Sequence, residues 1–173
     1  MRLASRATII AFGIICTLVL LGTSVTAPAS AAEEDEIDRQ AVKDLHDSLE
    51  EARATGIEIN GDISEQALVD DYKSGTLEAQ AKPDGCSTPK ALDKTEAKKW
   101  NKVFLKSCNS HDKCYSKGSS KDRKTCDSDF LTSMRVTCGF RKDRTRCDVV
   151  AQTYYNMVRA FGKDHYKGSG KNN

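Results

Sequence analysis

Three segments in the second half of the chain repeat their apolar residues at the spacing of an α-helix. They are "TEAKKWNKVFLKSCNSHDKCYSKG", "DRKTCDSDFLTSMRVTC" and "CDVVAQTYYNMVRAFG". A period of 3.6 residues predicts three amphipathic helices, each with one buried side. The residues that share a face are Phe104, Cys108, His111 and Tyr115 in the first segment, Asp127, Phe130, Leu131, Met134 and Cys138 in the second, and Val150, Tyr154, Met157, Val158 and Phe161 in the third. Thr95 or Asp93 is suited to begin the first helix, and Gly162 to end the third.

Two positions on these apolar faces are polar, namely His111 and Asp127. A carboxylate on a buried face is costly unless another group pairs with it. Asp112 lies beside the apolar face, with Leu105 and Cys108 among its helical neighbours, and Asp129 lies off the face of its own segment. His111 and Asp127 are therefore the polar residues that the helical pattern singles out.

The turn between the first two segments is short, so their helices are expected to be antiparallel neighbours. If Cys114 bonds Cys126, the residue numbers of facing positions add up to about 240, and His111 faces the neighbourhood of position 129. Asp127 is the inward-facing aspartate there, so we predict that it is the partner of His111. A carboxylate that holds one imidazole nitrogen leaves the other nitrogen free as a base. The same pair also fits a purely structural role in the core.

The first 31 residues have the features of a secretory signal peptide. "MRLASR" carries two arginines, "ATIIAFGIICTLVLLG" is apolar, and "APASAA" ends the segment with small residues. This order predicts cleavage near Ala31 or Ala32. A retained membrane anchor is the alternative, although the apolar run is short for a span. Cys16 lies inside the apolar run and would leave with the peptide.

Six cysteines remain once the signal peptide is removed. An even number of cysteines in an exported chain predicts three disulfide bonds. Zinc is the competing use, but the sequence contains no C-x-x-C pair, and two of its three histidines lie in residues 82–173. The six are Cys86, Cys108, Cys114, Cys126, Cys138 and Cys147.

The rest of the chain divides by charge. Residues 33–81 contain 15 acidic and 4 basic residues, a net charge of −11, whereas residues 82–173 contain 10 acidic and 21 basic residues, a net charge of +11. Residues 32–81 have one aromatic residue, Tyr72, and we expect them to bury little core. They are interpreted as an acidic pro-segment or a loosely helical extension, with helical spacing at Ile37, Val42, Leu45 and Leu49. A solvated linker without a function is the alternative.

The basic charge of residues 82–173 indicates an anionic partner. "GFRKDRTR", residues 139–146, is one candidate contact with an acidic lipid surface, and a solvated loop is the alternative. We expect no nucleic-acid binding, because no stacking pattern of aromatic residues accompanies the charge. The opposite charges also suggest that the acidic segment covers the basic face until proteolysis frees it.

Residues of the basic part resemble secreted phospholipase A2, and most closely the small bacterial and fungal type (group XIV). The resemblance is carried by "CNSHDKCY", which fits the pattern C-x-x-H-D-x-x-Y, by "DRKTCDSDF" with its aspartate, and by a cysteine pair and "YY" on the last helix. It covers Asp84 to Gly162 and leaves out the acidic segment. It implies an all-α fold for residues 82–173, a small disulfide-bonded domain with two antiparallel catalytic helices and a third, C-terminal helix.

The resemblance also implies roles for individual residues. His111 matches the general base of the family, and Asp127 matches the aspartate that orients this base. Asp84, the carbonyl of Gly85 and Asp112 match the ligands of a calcium ion, Ca²⁺. Bacterial members carry a bulkier residue where Gly85 stands, so the chain departs from the family there. The tyrosines of the last helix, Tyr154 and Tyr155, are expected to bond to the orienting aspartate or to line the acyl channel, with ordinary core packing as the alternative.

The disulfide pairs that the resemblance implies are Cys86–Cys108 and Cys138–Cys147, which leave Cys114 to pair with Cys126. Bacterial members often lack this third bond. The implied activity is that of a secreted, calcium-dependent phospholipase A2, which hydrolyses the sn-2 ester of glycerophospholipids to a lysophospholipid and a free fatty acid. We expect a monomer that acts on a phospholipid membrane or micelle surface, preferably an anionic one. The alternative is a catalytically silent, membrane-binding or toxin-like module on the same scaffold.

Overall fold

The structure, a computed structural model, describes residues 37–75 and 86–173, which belong to one compact unit. Within these ranges the chain forms α-helices and no strand, apart from an isolated bridge between Ile59 and Leu92. The all-α prediction is confirmed. The elements are α1 (Arg39–Ala54), α2 (Glu65–Lys73), α3 (Lys94–Tyr115), α4 (Arg123–Gly139), α5 (Arg144–Phe161) and a short 3₁₀ helix (Lys163–His165).

Helices α3 and α4 form the antiparallel pair that the sequence predicted. Asp93 begins α3, because its carboxylate accepts hydrogen bonds from the backbone N–H groups of Thr95 and Glu96 at 2.7 and 3.3 Å. Farther along the pair, the hydroxyl oxygens of Ser107 and Ser133 lie 2.8 Å apart. Near the turn, Cys114 of α3 is bonded to Cys126 of α4. Positions earlier in α3 therefore face positions later in α4.

All three disulfide bonds join the predicted partners. Cys86 pairs with Cys108, Cys114 with Cys126, and Cys138 with Cys147. The first bond attaches the segment before α3 to the middle of that helix. The other two close the α3–α4 and α4–α5 turns, so every connection within the α3–α5 unit is fixed covalently.

Helix α5 packs against α4 on one side and against α1 on another. The side toward α3 and α4 contributes Tyr154 and Val150 to a core that contains Trp100, Phe104 and Met134, all at most 1% exposed. The end of α5 is marked by Gly162, whose N–H donates to the carbonyl of Val158 at 2.8 Å.

The side of α5 toward α1 buries much of the acidic segment. Leu45 and Leu49 of α1 are 0% exposed, and Val42 is 2% exposed. Two polar side chains of α5 bond to the backbone of α1: Thr153 donates to the carbonyl of Ser48 at 3.3 Å, and Asn156 to that of Asp44 at 2.8 Å. The expectation that residues 32–81 bury little core is therefore wrong for α1. An aliphatic face sixteen residues long is sufficient, although it contains no aromatic side chain.

The last residues of the chain pack on the α3–α4 turn. The N–H of Arg123 donates to the carbonyl of Lys171, and the N–H of Lys171 donates to the carboxylate of Asp122, at 2.8 and 2.7 Å. The N–H of Ser169 reaches the carbonyl of Ser119 at 2.8 Å. This tail therefore covers the end of the helix pair that carries the candidate site.

The predicted signal peptide, residues 1–31, lies outside the described residues. In the part of the chain that the structure does describe, no helix is both long and apolar enough to cross a membrane. The boundary between residues 32–81 and 82–173 as separate functional segments stays a prediction.

Candidate active site

His111 and Asp127 meet between α3 and α4, close to the turn. The imidazole Nε2 of His111 lies 2.8 Å from the carboxylate Oδ1 of Asp127. His111 is 6% exposed and Asp127 is 0% exposed. The antiparallel pairing fixed at Cys114–Cys126 places both side chains on the faces that the two helices turn toward each other. The structure therefore brings together the two polar residues that the helical pattern singled out.

Asp127 accepts three close hydrogen bonds, two from side chains of α3 and one from a side chain of α5. Besides the bond with His111 of α3, its Oδ1 accepts from the Tyr115 hydroxyl at 2.6 Å. Its Oδ2 accepts from Nη1 of Arg159, on α5, at 2.8 Å. Burial alone would raise the pKa of Asp127, but the bonds from His111, Tyr115 and Arg159 outweigh it and hold this pKa below its ordinary value. Asp127 is therefore a buried, ionised carboxylate.

The ionised state of Asp127 determines the tautomer of His111. A carboxylate can only accept, so Nε2 of the imidazole carries the proton and donates it. In the neutral ring, Nδ1 then holds the free lone pair. This arrangement leaves His111 with one nitrogen that can take a proton from another molecule.

Two aromatic rings hold the imidazole plane in place. The ring centroid of His111 lies 4.7 Å from that of Phe130 with an interplanar angle of 30°, and 4.1 Å from that of Tyr115 with an angle of 45°. Burial is the main reason that the pKa of Tyr115 is raised, and the negative charge of Asp127 adds to it. The hydroxyl of Tyr115 therefore stays protonated and remains a hydrogen-bond donor to Asp127.

Gly162 gives the Tyr115 hydroxyl the space that it needs. A Cβ atom at Gly162 would lie 2.7 Å from this hydroxyl and 2.4 Å from the carbonyl oxygen of Val158. The Val158 oxygen belongs to the backbone and cannot move aside as the end of a flexible side chain could. A larger residue at position 162 would push Tyr115 or the end of α5 away from Asp127.

A second arginine supports the charge of Asp127 from a greater distance. Nη1 of Arg123 lies 3.8 Å from Asp127 Oδ2, and the Arg123 side chain is 5% exposed. The same nitrogen donates to the carbonyls of Val158 and Arg159 at 3.2 and 3.3 Å. Nη1 of Arg159 in turn also donates to the main-chain oxygen of Asn173 at 3.0 Å. The end of α5 and the tail are thereby connected to the carboxylate.

Of the two tyrosines expected from the last helix, Tyr154 bonds to a residue other than Asp127. Tyr154 is 1% exposed, and its hydroxyl donates to the side-chain oxygen of Asn101 at 2.6 Å. Burial raises the pKa of Tyr154. Tyr155 is partly buried on the same helix. Tyr115, which the helical pattern placed in the core and which ends the C-x-x-H-D-x-x-Y motif, makes the hydrogen bond to Asp127 that was expected of a tyrosine of α5.

The sequence did contain a signal for Arg159. The disulfide Cys138–Cys147 fixes how α4 and α5 face each other, as the disulfide Cys114–Cys126 does for α3 and α4. Eleven residues back along α4 from Cys138 is Asp127, and eleven residues forward along α5 from Cys147 is Val158, next to Arg159. The pairing rule that led to His111 therefore also leads to this arginine.

Of the three expected calcium ligands, the structure describes only Asp112. Asp84 and Gly85 lie outside the described residues, and within the described ranges no group of three His, Cys, Asp or Glu side chains could hold a metal ion. Asp112 lies on α3, four residues after the cysteine that is bonded to Cys86. The amide oxygen of Asn109, three residues before Asp112, is buried without a hydrogen-bond partner. Carboxylate and amide oxygens are the donors that calcium prefers, so this face of α3 fits the ion.

The fold and the site together define a class of protein: small, disulfide-bonded helical domains that hold a buried histidine–aspartate pair between two antiparallel helices. The family model of prokaryotic phospholipase A2 matches residues 68–162. This range is more than half of the 173 residues, and the chain belongs to that family. Membership places the chain among phospholipase-type hydrolases, which act on lipid substrates at interfaces. No curated protein and no solved structure matches the chain.

The family match begins earlier than the resemblance of the motifs. It starts at Leu68, in α2, whereas the motifs extend from Asp84 to Gly162. Leu68 is 3% exposed and belongs to the core cluster that also contains Leu45 and Phe161. Part of the acidic segment therefore lies within the family domain.

Proposed function

We propose that the protein is a secreted, calcium-dependent phospholipase A2 that hydrolyses the sn-2 ester of glycerophospholipids. The observation that carries the proposal is the 2.8 Å contact between His111 Nε2 and Asp127 Oδ1 in a member of this family. A buried imidazole oriented by an ionised carboxylate is the arrangement that general-base catalysis requires.

In this proposal, His111 acts through Nδ1. That nitrogen takes a proton from a water molecule as the water oxygen attacks the sn-2 carbonyl carbon. The imidazolium then returns the proton to the departing oxygen of the lysophospholipid, and the fatty acid is released. Asp127 offsets the positive charge of the imidazolium, and Arg159 and Tyr115 keep Asp127 ionised and correctly placed.

Asp112, Asp84 and the carbonyl of Gly85 would hold the calcium ion. A bound calcium ion supplies positive charge that stabilises the substrate phosphate and the oxyanion of the ester. The Cys86–Cys108 bond supports this assignment, because it fixes the chain directly after Gly85 beside α3, one helical turn before Asp112. Water would complete the coordination, as calcium binds six to eight oxygen atoms.

Three disulfide bonds are consistent with an exported protein, because such bonds persist in oxidising compartments. Together with the signal-peptide features of residues 1–31, they support secretion. The net charge of +11 in residues 82–173 supports an anionic phospholipid membrane or micelle as the substrate surface.

The proposal is tested by measuring fatty-acid release from vesicles labelled at the sn-2 position. His111→Asn removes the base, and Asp127→Asn removes the charge that orients it, so we expect each to lower the rate by about 10²-fold or more. Asp129→Asn is the matched control, because Asp129 is an exposed aspartate of the same helix that pairs with Lys121. Chelation of calcium, or Asp112→Asn, is expected to abolish release.

Activity that survives His111→Asn or chelation would contradict this mechanism. Vesicle binding without any release by the wild-type protein would instead indicate the silent, membrane-binding module. Folding of each variant is checked by its melting temperature, so that a loss of activity is not mistaken for a loss of structure.

A further inference from the structure

The loop between α4 and α5 presents an apolar side chain almost entirely to solvent. Phe140 is 89% exposed, and Val136, one helical turn before it, is 59% exposed. Leu105, at 45%, is the other large hydrophobic residue that is exposed in the described part of the chain. We call Val136 and residues 139–146 the α4–α5 loop surface. An exposed phenylalanine loses the free energy of burial unless another surface covers it.

The loop holds Phe140 outward by a rigid arrangement. The disulfide Cys138–Cys147 closes the loop at its base. Arg141 forms two hydrogen bonds with Asp143, at 2.7 and 3.0 Å, and its guanidinium lies 5.4 Å from the ring of Trp100. Because the side chain of Arg141 is anchored on the core, the backbone beside Phe140 is fixed. The exposure of Phe140 is thus a property of the folded loop.

Positive charge surrounds the exposed phenylalanine. Residues 139–146 contain four basic residues and one acidic residue, a net charge of +3. Lys142 and Arg144 are exposed, and Lys99 of α3 lies over the ring of Trp100, on which the loop also packs. An apolar tip within a cationic rim matches the boundary between the acyl chains and the head groups of an anionic bilayer.

We propose that the α4–α5 loop surface is a membrane anchor, in which Phe140 enters the acyl boundary while Lys142 and Arg144 contact anionic head groups. This inference rests on the proposed function, since it assigns the surface through which the enzyme reaches its substrate. A protein partner is disfavoured as the occupant, because two apolar side chains within a ring of flexible cations offer little area for a specific interface.

The anchor is separate from the dyad. Phe140 lies thirteen positions after Asp127, and a helix that rises 1.5 Å per residue spans about 20 Å over that length. Side chains of the loop therefore do not contact His111 or its partners. Changes in the loop are expected to weaken the affinity for vesicles and to leave the chemical step unchanged.

The anchor is tested by sedimentation with vesicles of phosphatidylglycerol and with vesicles of phosphatidylcholine. Phe140→Asp is expected to weaken binding to the anionic vesicles by about tenfold or more. Lys142→Glu is expected to weaken the same binding by up to about tenfold at low salt. Lys73→Glu is the matched control: it makes the same change of charge at an exposed position on α2 and should leave binding unchanged.

A second variant reports on insertion directly. The protein has a single tryptophan, Trp100, which is 0% exposed and should respond little to vesicles. Phe140→Trp therefore places a new fluorophore at the proposed point of entry. Its emission is expected to shift to shorter wavelength on anionic vesicles and to be quenched by lipids brominated along the acyl chain.

The two proposals fail in different ways. Binding and fluorescence are measured in the His111→Asn background, where turnover does not matter. Hydrolysis of a short-chain, monomeric phospholipid is measured separately and should be equal for wild type and Phe140→Asp. Equal vesicle affinity for these two proteins, or no emission shift in Phe140→Trp, would overturn the anchor and leave the proposed enzyme intact. Absence of hydrolysis by the wild type on both substrates would overturn the enzyme alone.

Discussion

The acidic region, residues 37–75, and the basic region, residues 86–173, reach a stable fold by different means. The basic region has three disulfide bonds around a helix pair that carries a buried ionic site. The acidic region has no cysteine and is held by the apolar face of α1, which includes Leu45 and Leu49. Both regions use α5, one side of which packs on α1 and another on α4. Cross-linking fixes the region that needs exact positions, and hydrophobic burial attaches the other.

The opposite charges of the two regions contribute little to this attachment. Between the described residues of the two regions, the ion pair at Lys90–Asp71 has a separation of 3.6 Å and is partly exposed. Other contacts between the regions are the stacking of Tyr72 on Phe161, with ring centroids 4.6 Å apart, and hydrogen bonds from the Tyr72 hydroxyl to Asp164 at 2.6 Å and from Arg146 to the carbonyl of Gly56 at 2.8 Å. Exposed ion pairs stabilise proteins only weakly. Burial of apolar side chains and a few hydrogen bonds therefore hold the interface, and one exposed ion pair adds little to it.

The first prediction concerns the apolar face of the acidic region. Leu45→Ala removes a fully buried side chain from the contact between α1 and α5. We expect the free energy of unfolding to fall by about 2–5 kcal/mol, because a cavity remains where the side chain was. Chemical denaturation of the full chain measures this value. A loss below about 0.5 kcal/mol, the scale of surface substitutions, would show that the acidic region is not part of the folded core.

The second prediction concerns the covalent bonds of the basic region. Replacing Cys114 and Cys126 together by serine opens a loop of 12 residues. The loss of unfolding free energy should be about 3 kcal/mol, from the greater freedom of the unfolded chain. Activity below the unfolding transition should fall less than in Asp127→Asn, because the helices still pack. If activity vanishes while the fold persists, the disulfide aligns the dyad as well as stabilising the fold.

The third prediction concerns Arg159, which lies on the helix that both regions share. Arg159→Gln removes the positive charge 2.8 Å from Asp127 and should raise the pKa of that carboxyl. In the wild type, the folded state holds the pKa of Asp127 below its value in the unfolded chain. Asp127 therefore contributes stability that is fully present above the ordinary pKa of a carboxyl group. This contribution is lost as the pH falls through the pKa of Asp127 in the folded state. The variant should therefore begin to lose stability at about the same pH as wild type, but it should lose less in total and complete the loss at a higher pH.

The rate of lipid hydrolysis distinguishes a positioning role of Arg159 from a merely structural one. Arg159→Gln should lower the rate by about tenfold and shift the acid side of the pH–rate profile, because loss of a charge-assisted hydrogen bond is of that size. Arg159→Lys keeps the charge and should restore part of the rate. Identical pH profiles for wild type and Arg159→Gln would show that Arg159 does not act on the dyad.

The sequence predicted the part of the fold in which the helical spacing of apolar residues and the disulfide pairs indicate the same arrangement of helices. The faces of α3 and α4 follow from the helical period, and the turn closed by Cys114 and Cys126 then places His111 opposite Asp127. The contact of α5 with α1 was missed because the side of α5 that forms it includes two polar residues, Thr153 and Asn156. Their hydrogen bonds go to backbone carbonyls of α1, and no periodicity of hydrophobic residues reveals such partners.

The position of a tyrosine along its helix, relative to the residues of a neighbouring helix, is another property that periodicity does not give. Tyr154 and Tyr155 shared the helix expected to support the aspartate, but Asp127 lies near the start of α4 and so faces the end of α5. Tyr154 reaches Asn101 from its position farther back along α5. Tyr115, on the same helix as His111, is the tyrosine that reaches the carboxylate. Identifying the tyrosine hydroxyl that bonds to Asp127 requires the register of α4 against α5 as well as the spacing of apolar residues within each helix.

The smallest expected effect belongs to the acidic charges themselves. Glu51 is exposed on α1, so Glu51→Gln should change the free energy of unfolding by no more than about 0.5 kcal/mol. Its effect on lipid hydrolysis should depend on the salt concentration. Removing a negative charge lessens the repulsion from an anionic vesicle, so the rate should rise slightly in low salt. At physiological ionic strength the rate should not change, because the field is screened within about 8 Å. Combining it with Glu50→Gln should enlarge the low-salt increase. If the double variant matches wild type at low salt on anionic vesicles, the acidic region contributes packing alone, and a role for its charge in shielding the basic surface is contradicted.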